Sequence, residues 1–389
     1  YTHALSQVCD AGMNMLRVAG TTVYEEDAFY DACDRAGVLV WQDFMFANMD
    51  YPLDDEAFSR SVETEVRQQL QRLHAHPCMA VLCGNSEAEQ QAAMWGAPRE
   101  AWEQPLFHDT LPRLCEALAP QIPYWPSSTH GGALPQQPDT GTTSYYGVGA
   151  YLRPIEDARL SNLKFATECL AFANLPREST REHLHVPRDL GALWDFADVR
   201  DHYLEVLHGV NALHLRRSDP ERYFDLSSRV TGEVMARCFS EWRRPGSSCR
   251  GALVLMLRDL MPGAGWGLLD HTGTPKPCWD ALKPVLQPLA VLITDEGMNG
   301  YYAHVVNEKT ESRRLQLQLR ATLGDVVVAY AKRDIDIPAR GAITVPCASM
   351  LDHFIDLNWS HRFGPRPCDV VTCTLLDETG SIVSQVHAP

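Results

Sequence analysis

The chain is predicted to be an α/β protein, a (β/α)8 TIM barrel whose first strand is expected upstream, followed by a C-terminal β-sandwich. Two observations carry this reading. Over roughly the first 285 residues, short apolar runs alternate with stretches of helical periodicity, and about seven runs have strand length. That alternation makes a parallel sheet covered by helices, and so many units favour a closed barrel over a doubly wound sheet. Past Trp279 and Leu282 the period changes to two, as in strands with one buried face.

Met13–Val18 reads as a strand, ending at Gly20. Ala28, Phe29, Ala32, Cys33 and Ala36 then recur at helical spacing, and Gly37 supplies the stop. Val38–Trp41 is a buried strand ending in Gln42-Asp43. Phe58, Val62, Val66, Leu70 and Leu73 line one helix face, which His76-Pro77 closes because the residue before proline avoids helical geometry. Cys78–Cys83 is the next strand, and a helix rich in Ala and Gln follows. Pro123–Ser128, Ser144–Tyr146 and Leu163–Thr167 come next, then a long helical stretch from about Ala192 to Trp242, then the apolar run Gly251–Leu257. In the last part, Arg314–Arg320, Val326–Tyr330, Ala342–Val345 and Asp369–Leu376 read as strands separated by turns such as Gly324-Asp325 and Thr379-Gly380-Ser381. The expected domains are therefore 1–285, the barrel, and 286–389, an immunoglobulin-like sandwich.

A formal net charge of −16 speaks against nucleic-acid or anionic-membrane partners, which select basic patches. No apolar run reaches the roughly 18 residues of a membrane span. The 12 cysteines form no CxxC pair, and several sit in apolar runs, which favours a reduced, cytoplasmic protein. The start at Tyr1 suggests a piece of something longer.

Barrel chemistry lies at the C-terminal ends of the strands, so the polar residues just after each apolar run are the informative ones. They are Arg17, Asp43, Asn85-Ser86-Glu87, Ser127-Ser128, Tyr145-Tyr146, Glu168 and Arg258-Asp259. Two carboxylates, two arginines, hydroxyls and aromatics on one face suit a neutral, hydroxyl-rich ligand such as a sugar. Glu87 and Glu168, each closing a different run, are the pair that acid/base chemistry on a glycosidic bond requires.

Met13–Val18 with Tyr24-Glu25, Val38–Phe46, His76-Pro77, Cys83-Gly84-Asn85-Ser86-Glu87, Tyr124–Ser128, and Pro262–Asp270 with Pro275-Lys276 stand in order along the chain. Together they resemble the β-mannosidase branch of glycoside hydrolase family 2. The resemblance implies a retaining exo-β-glycosidase without a cofactor, acting on an oligosaccharide or glycoside; separately, no metal-ligand spacing is read in the chain, and no metal is expected. It implies further N-terminal domains in the full-length protein. It assigns the acid/base to Glu87 and the nucleophile to Glu168. Arg17, Asp43, Asn85, Ser86, Tyr145, Tyr146, Arg258 and Trp266 are the candidate substrate-side residues. Arg17 would hold Glu168 ionised, either tyrosine would orient it, Asp43 would accept from sugar hydroxyls, and Trp266 would offer a stacking face.

The chain departs from the family pattern in three places. Ala19-Gly20-Thr21-Thr22 replaces Trp-Gly-Gly-Gly, Ser86 replaces the Asn before the acid/base, and Leu255–Pro262 replaces Trp-x-Leu-Asn-Asp-x-Trp-Pro. These positions bear on sugar identity more than on the reaction. Arg258, facing a pocket, would favour an acidic or strongly polar substituent; the alternative is an ion pair with Asp259 or another acid. β-Galactosidase, β-glucuronidase or exo-β-glucosaminidase activity, or an inactive carbohydrate-binding barrel, stand as alternatives. Glu89 reads as an ordinary helix or loop acid, and His74 and His76 as helix C-terminal cations. His130 is open between loop and subsite.

Overall fold

The computed structural model describes residues 1–177 and 195–388. They divide into two compact units. The first comprises Tyr1–Tyr151, Leu160–Ala171 and Cys249–Met256; the second comprises Leu152–Arg159, Phe172–Ser248 and Leu257–Pro389.

The first unit is α/β. After helix α1 (Thr2–Asp10), strands β1 (Met15–Val18), β2 (Leu39–Asp43), β3 (Met79–Cys83) and β4 (Tyr124–Trp125) form one parallel sheet in that order. Between them run α2 (Asp27–Ala36), α3 (Glu56–Leu73), α4 (Ala88–Met94), α5 (Arg99–Trp102), a π-helical turn at Leu106–Thr110 and α6 (Leu111–Leu118). Strands β5 (Thr143–Tyr145), β6 (Ala166–Cys169) and β7 (Ala252–Val254) form a second parallel sheet. The parallel crossovers explain why these strands read as near-continuous apolar runs.

Sequence logic accounts for the helix boundaries. Asp55 caps α3 by accepting from the amides of Ala57 and Phe58, and Val62, Val66, Leu70 and Leu73 are its buried face. Gly37 ends α2 in the left-handed conformation, at φ 70°. Gly84, just past β3, lies so close to β4 that a Cβ there would stand 2.1 Å from the Pro126 carbonyl oxygen. Only glycine lets the two strand ends approach this way.

The second unit holds helices and an antiparallel part. The expected helix from Ala192 begins outside the described residues and is three helices within them. These are α8 (Phe196–His208), α9 (Ala212–Ser218) and α10 (Pro220–Arg243). Gly209 breaks the first, and Asp219-Pro220 starts the third, with the Asp219 side chain capping it. The short helix α7 (Asp157–Leu160) straddles the division of the chain, and α11 (Pro277–Leu286) packs on α10.

Strands β8 (Leu289–Asp295), β9 (Tyr301–Asn307), β10 (Arg313–Leu323), β11 (Val326–Ile337), β12 (Gly341–Pro346), β13 (Val370–Leu376) and β14 (Ile382–Ala388) are all antiparallel. They make two sheets, ordered β11-β10-β13-β14 and β12-β9-β8. Alternate residues Leu315, Leu317, Leu319 and Ala321 of β10 are buried, as period-two patterning requires. Among the described residues no helix is long and apolar enough to cross a membrane. All 12 cysteines are free thiols.

Candidate active site

The candidate site lies wholly within the first unit, at the C-terminal ends of its strands. Arg17 on β1 is its hub. The Arg17 guanidinium donates through Nη2 to Asp43 Oδ2 at 2.6 Å and to Ser86 Oγ at 3.1 Å. Through Nη1 it donates to Glu168 Oε1 at 2.8 Å and to the Thr167 carbonyl at 3.2 Å. Burial works against its charge, but the Asp43 and Glu168 carboxylates outweigh that and hold the guanidinium above its usual range. Arg17 is a permanent cation here.

Glu168 is fixed from two directions. Arg17 binds Oε1, and the Tyr146 hydroxyl donates to Oε2 at 2.6 Å. Burial first, then the charge of Glu168, pushes the Tyr146 hydroxyl far above its ordinary pKa, so it remains a donor. Glu168 lies inside β6 rather than beyond its tip, opposite Ser144 of β5 in the parallel register.

Glu87 is brought in from β3. Its backbone sits in the left-handed region, at φ 62°, and it occupies the position just before α4. Its amide donates to the Ser128 carbonyl at 2.6 Å, which ties the end of β3 to the loop after β4. The Ser144 hydroxyl donates to Glu87 Oε1 at 2.5 Å, and Gln91 Nε2 donates to Oε2 at 3.1 Å. The Glu87 carboxyl is raised above its usual range, first by burial and then by the negative charge of Glu168. Its two hydrogen bonds pull the other way. The serine that binds Glu87 is thus the register partner of Glu168, and this joins the two carboxylates in one network.

No family model matches the chain. Curated sequences do. The chain is 29% identical over 354 residues to β-mannosidase B of Emericella nidulans, an alignment covering 85% of this chain and 41% of that protein. It is 28% identical over 383 residues to β-mannosidase B of Aspergillus niger, covering 88% and 45%. Among solved structures, the β-D-mannosidase from Dictyoglomus thermophilum matches with a TM-score of 0.83 at 24% identity, covering 99% of this chain and 47% of that one. Over most of its length the chain is similar to these β-mannosidases. It spans less than half the length of the relatives it matches. An exo-chitosanase of Amycolatopsis orientalis also matches, with a TM-score of 0.72 at 16% identity over 100% of this chain and 46% of its own; that likeness is one of fold.

The remaining sequence-derived residues fall into three groups. Asp43, Asn85 and Ser86 are fully enclosed. The Asp43 oxygens accept from Arg17, from the Gly20 amide at 3.0 Å and from Trp41 Nε1 at 2.9 Å. In this arrangement Asp43 holds Arg17, and its lone pairs are taken by protein rather than left for sugar hydroxyls. Asn85 accepts from the Ala88 amide and the Ser127 hydroxyl and donates to the Pro126 carbonyl, so it braces the turn that carries Glu87. Of the two tyrosines, Tyr146 reaches Glu168, while Tyr145 is a buried strand residue.

Arg258 and Trp266 belong to the second unit. Arg258 is exposed and donates to the His271 carbonyl at 2.6 Å. The alternative, an ion pair with Asp259 or another acid, is not made either among the described residues. Asp259 pairs instead with Lys276, a fully buried ammonium that also donates to the carbonyls of Asn174 and Gly265. A buried cation needs such partners, so the Pro262–Asp270 and Lys276 motif is a structural cross-tie. Trp266 is half-buried and packs edge-on against Phe196, ring centroids 4.8 Å apart.

Ser144 and Gln91 were not legible as site residues. A serine within a strand and a glutamine one helical turn after Glu87 carry no motif. Only the i, i+4 spacing from 87 to 91 signals the second. Glu89 departs most from expectation: it is wholly buried between His108 and His130.

Proposed function

We propose that this chain carries the catalytic centre of a retaining exo-β-glycosidase of β-mannosidase type. The observation that supports this best is the shared network of Glu87 and Glu168, with Arg17 and Tyr146 on one carboxylate and Ser144 bridging towards the other. In a retaining mechanism the two carboxyl groups stand about 5 to 5.5 Å apart, and one keeps its proton while the other is ionised. Glu168, held by a permanent cation and a phenol, is the nucleophile. It attacks the anomeric carbon as the bond to the leaving oxygen breaks. Glu87, whose carboxyl is raised, gives that oxygen its proton. In the second half Glu87 takes a proton from water, which displaces the sugar from Glu168.

On this reading the seven parallel strands of the first unit are strands two to eight of a (β/α)8 barrel, residues 1–285 are the barrel portion and 286–389 an immunoglobulin-like sandwich. N-terminal domains of the full-length protein would complete the pocket. The substrate is a glycoside with a terminal non-reducing β-linked sugar, mannose first among candidates because the curated relatives named above are β-mannosidases.

A panel of aryl β-mannoside, β-glucoside, β-galactoside and β-glucuronide, assayed on the polypeptide that contains this chain, tests the proposal. Glu87→Gln should lower turnover of the preferred sugar by roughly 10²- to 10⁴-fold on a poor leaving group, and much less on an activated one. An unchanged rate on the poor leaving group removes Glu87 from the acid/base role.

A further inference from the structure

Glu89, His108 and His130 form a second cluster in the first unit, and it has no part in the chemistry above. Glu89 Oε1 stands 2.7 Å from His108 Nε2, and Oε2 stands 2.9 Å from His130 Nδ1. The three donor atoms lie within 4.8 Å of one another. The Glu89 carboxyl group is fully buried, whereas the His108 and His130 side chains are 25% and 21% exposed, so the cluster has an inner oxygen donor and an outer opening. The three side chains come from separate segments: Glu89 from α4, His108 from the π-helical turn, and His130 from the loop after β4. The backbone of His130 pairs with Thr142 in both directions, and its ring meets the edge of Trp125 at 5.3 Å.

We propose that Glu89, His108 and His130 bind a divalent transition-metal ion of the zinc class. Two imidazole nitrogens and one carboxylate are a recognised zinc donor set that leaves a fourth position for water, and the partly exposed histidines give the entry path. Zinc–ligand bonds of about 2.0–2.2 Å set ligand atoms about 3.3 Å apart, so the two carboxylate–imidazole contacts must open slightly and the remaining donor pair must settle at that spacing. A π-helical turn carrying one ligand fits the frequent use of such turns at functional sites. The other cluster of metal-ligating types, Asp34, His76 and Cys78, is a poorer candidate. There the carboxylate already accepts from the Cys78 amide, and the thiol donates to the Tyr30 carbonyl. The bound ion would clamp the helix after β3 to the loop after β4, a cross-link outside the proposed catalytic chemistry.

The protein, stripped with chelator, is titrated with Zn²⁺ by calorimetry, and retained metal is counted after dialysis. One equivalent with a Kd below about 1 μM is expected. His108→Ala and His130→Ala should each weaken binding at least tenfold while circular dichroism confirms that the metal-free variants are folded. Co²⁺ in place of Zn²⁺ should give the strong visible bands of a four-coordinate nitrogen/oxygen site, a readout that holds even if a variant fails to fold. No retained ion, equal retention by both folded variants, or only the weak spectrum of six-coordinate Co²⁺ overturns the proposal and leaves the cluster as a hydrogen-bonded triad.

Discussion

Arg17 shows how one side chain can organise a site. It meets Asp43, Ser86, Glu168 and the Thr167 carbonyl, and its side chain is only 6% exposed. Breaking a buried pair leaves an uncompensated charge and costs about 3–5 kcal/mol. Asp43→Ala should therefore lower the denaturation free energy by about that amount and also reduce turnover, because the guanidinium would be free to swing from Glu168. Chemical denaturation together with aryl-glycoside kinetics checks both. A variant with wild-type stability would mean that water takes over the role of Asp43. Which of these residues sequence could reveal follows from geometry. Glu87 and Glu168 were legible because each closes an apolar run. That Asp43 and Asn85 face inward was not, since a polar residue at a strand end looks the same whether it meets ligand or protein. The histidines of the metal-ligating cluster lie 19 and 41 residues from Glu89, a spacing with no local signature.

At the scale of elements, the parallel strands and α3 were legible from periodicity, whereas β8, β9 and β14 were not picked out. Leu289–Asp295 is nearly all buried, and an unbroken apolar run cannot be told from a buried helix by period alone. The long stretch before Trp242 was over-read as continuous because its apolar period persists across Gly209 and Pro220. The α10–α11 contact offers a test where two principles oppose each other. Alanine for glycine within a helix ordinarily gains about 1 kcal/mol. At Gly232 a Cβ would lie 2.8 Å from Cys278 Cα and 2.9 Å from Ala281 Cβ, and overpacking of that kind costs about 1–3 kcal/mol. The clash should win, so Gly232→Ala is expected to lower the melting temperature. A rise would show that α11 can move away at little cost.

For the molecule as a whole, acid stability is the informative property. His304 in β9 is buried, and its ring lies between the hydroxyls of Thr294 and Thr344. Burial pulls its pKa down from 6.5 to about 4. The unfolded chain therefore takes up a proton below pH 6.5 that the folded chain refuses until about pH 4. Stability from this group is intact above pH 6.5 and falls between those limits, by up to roughly 3 kcal/mol. His304→Gln should flatten that part of the pH–stability curve for the second unit, followed by denaturation at pH 7 and pH 4.5. A slope unchanged by the substitution would assign acid sensitivity to other groups. In the first unit durability and chemistry pull apart at one backbone torsion. The residue ahead of α4 holds a conformation that costs a side-chain-bearing amino acid roughly 1 kcal/mol and glycine almost nothing. Laboratory selection for heat tolerance alone would drift towards glycine at position 87, giving a sturdier protein that had discarded the carboxyl proposed as its proton donor.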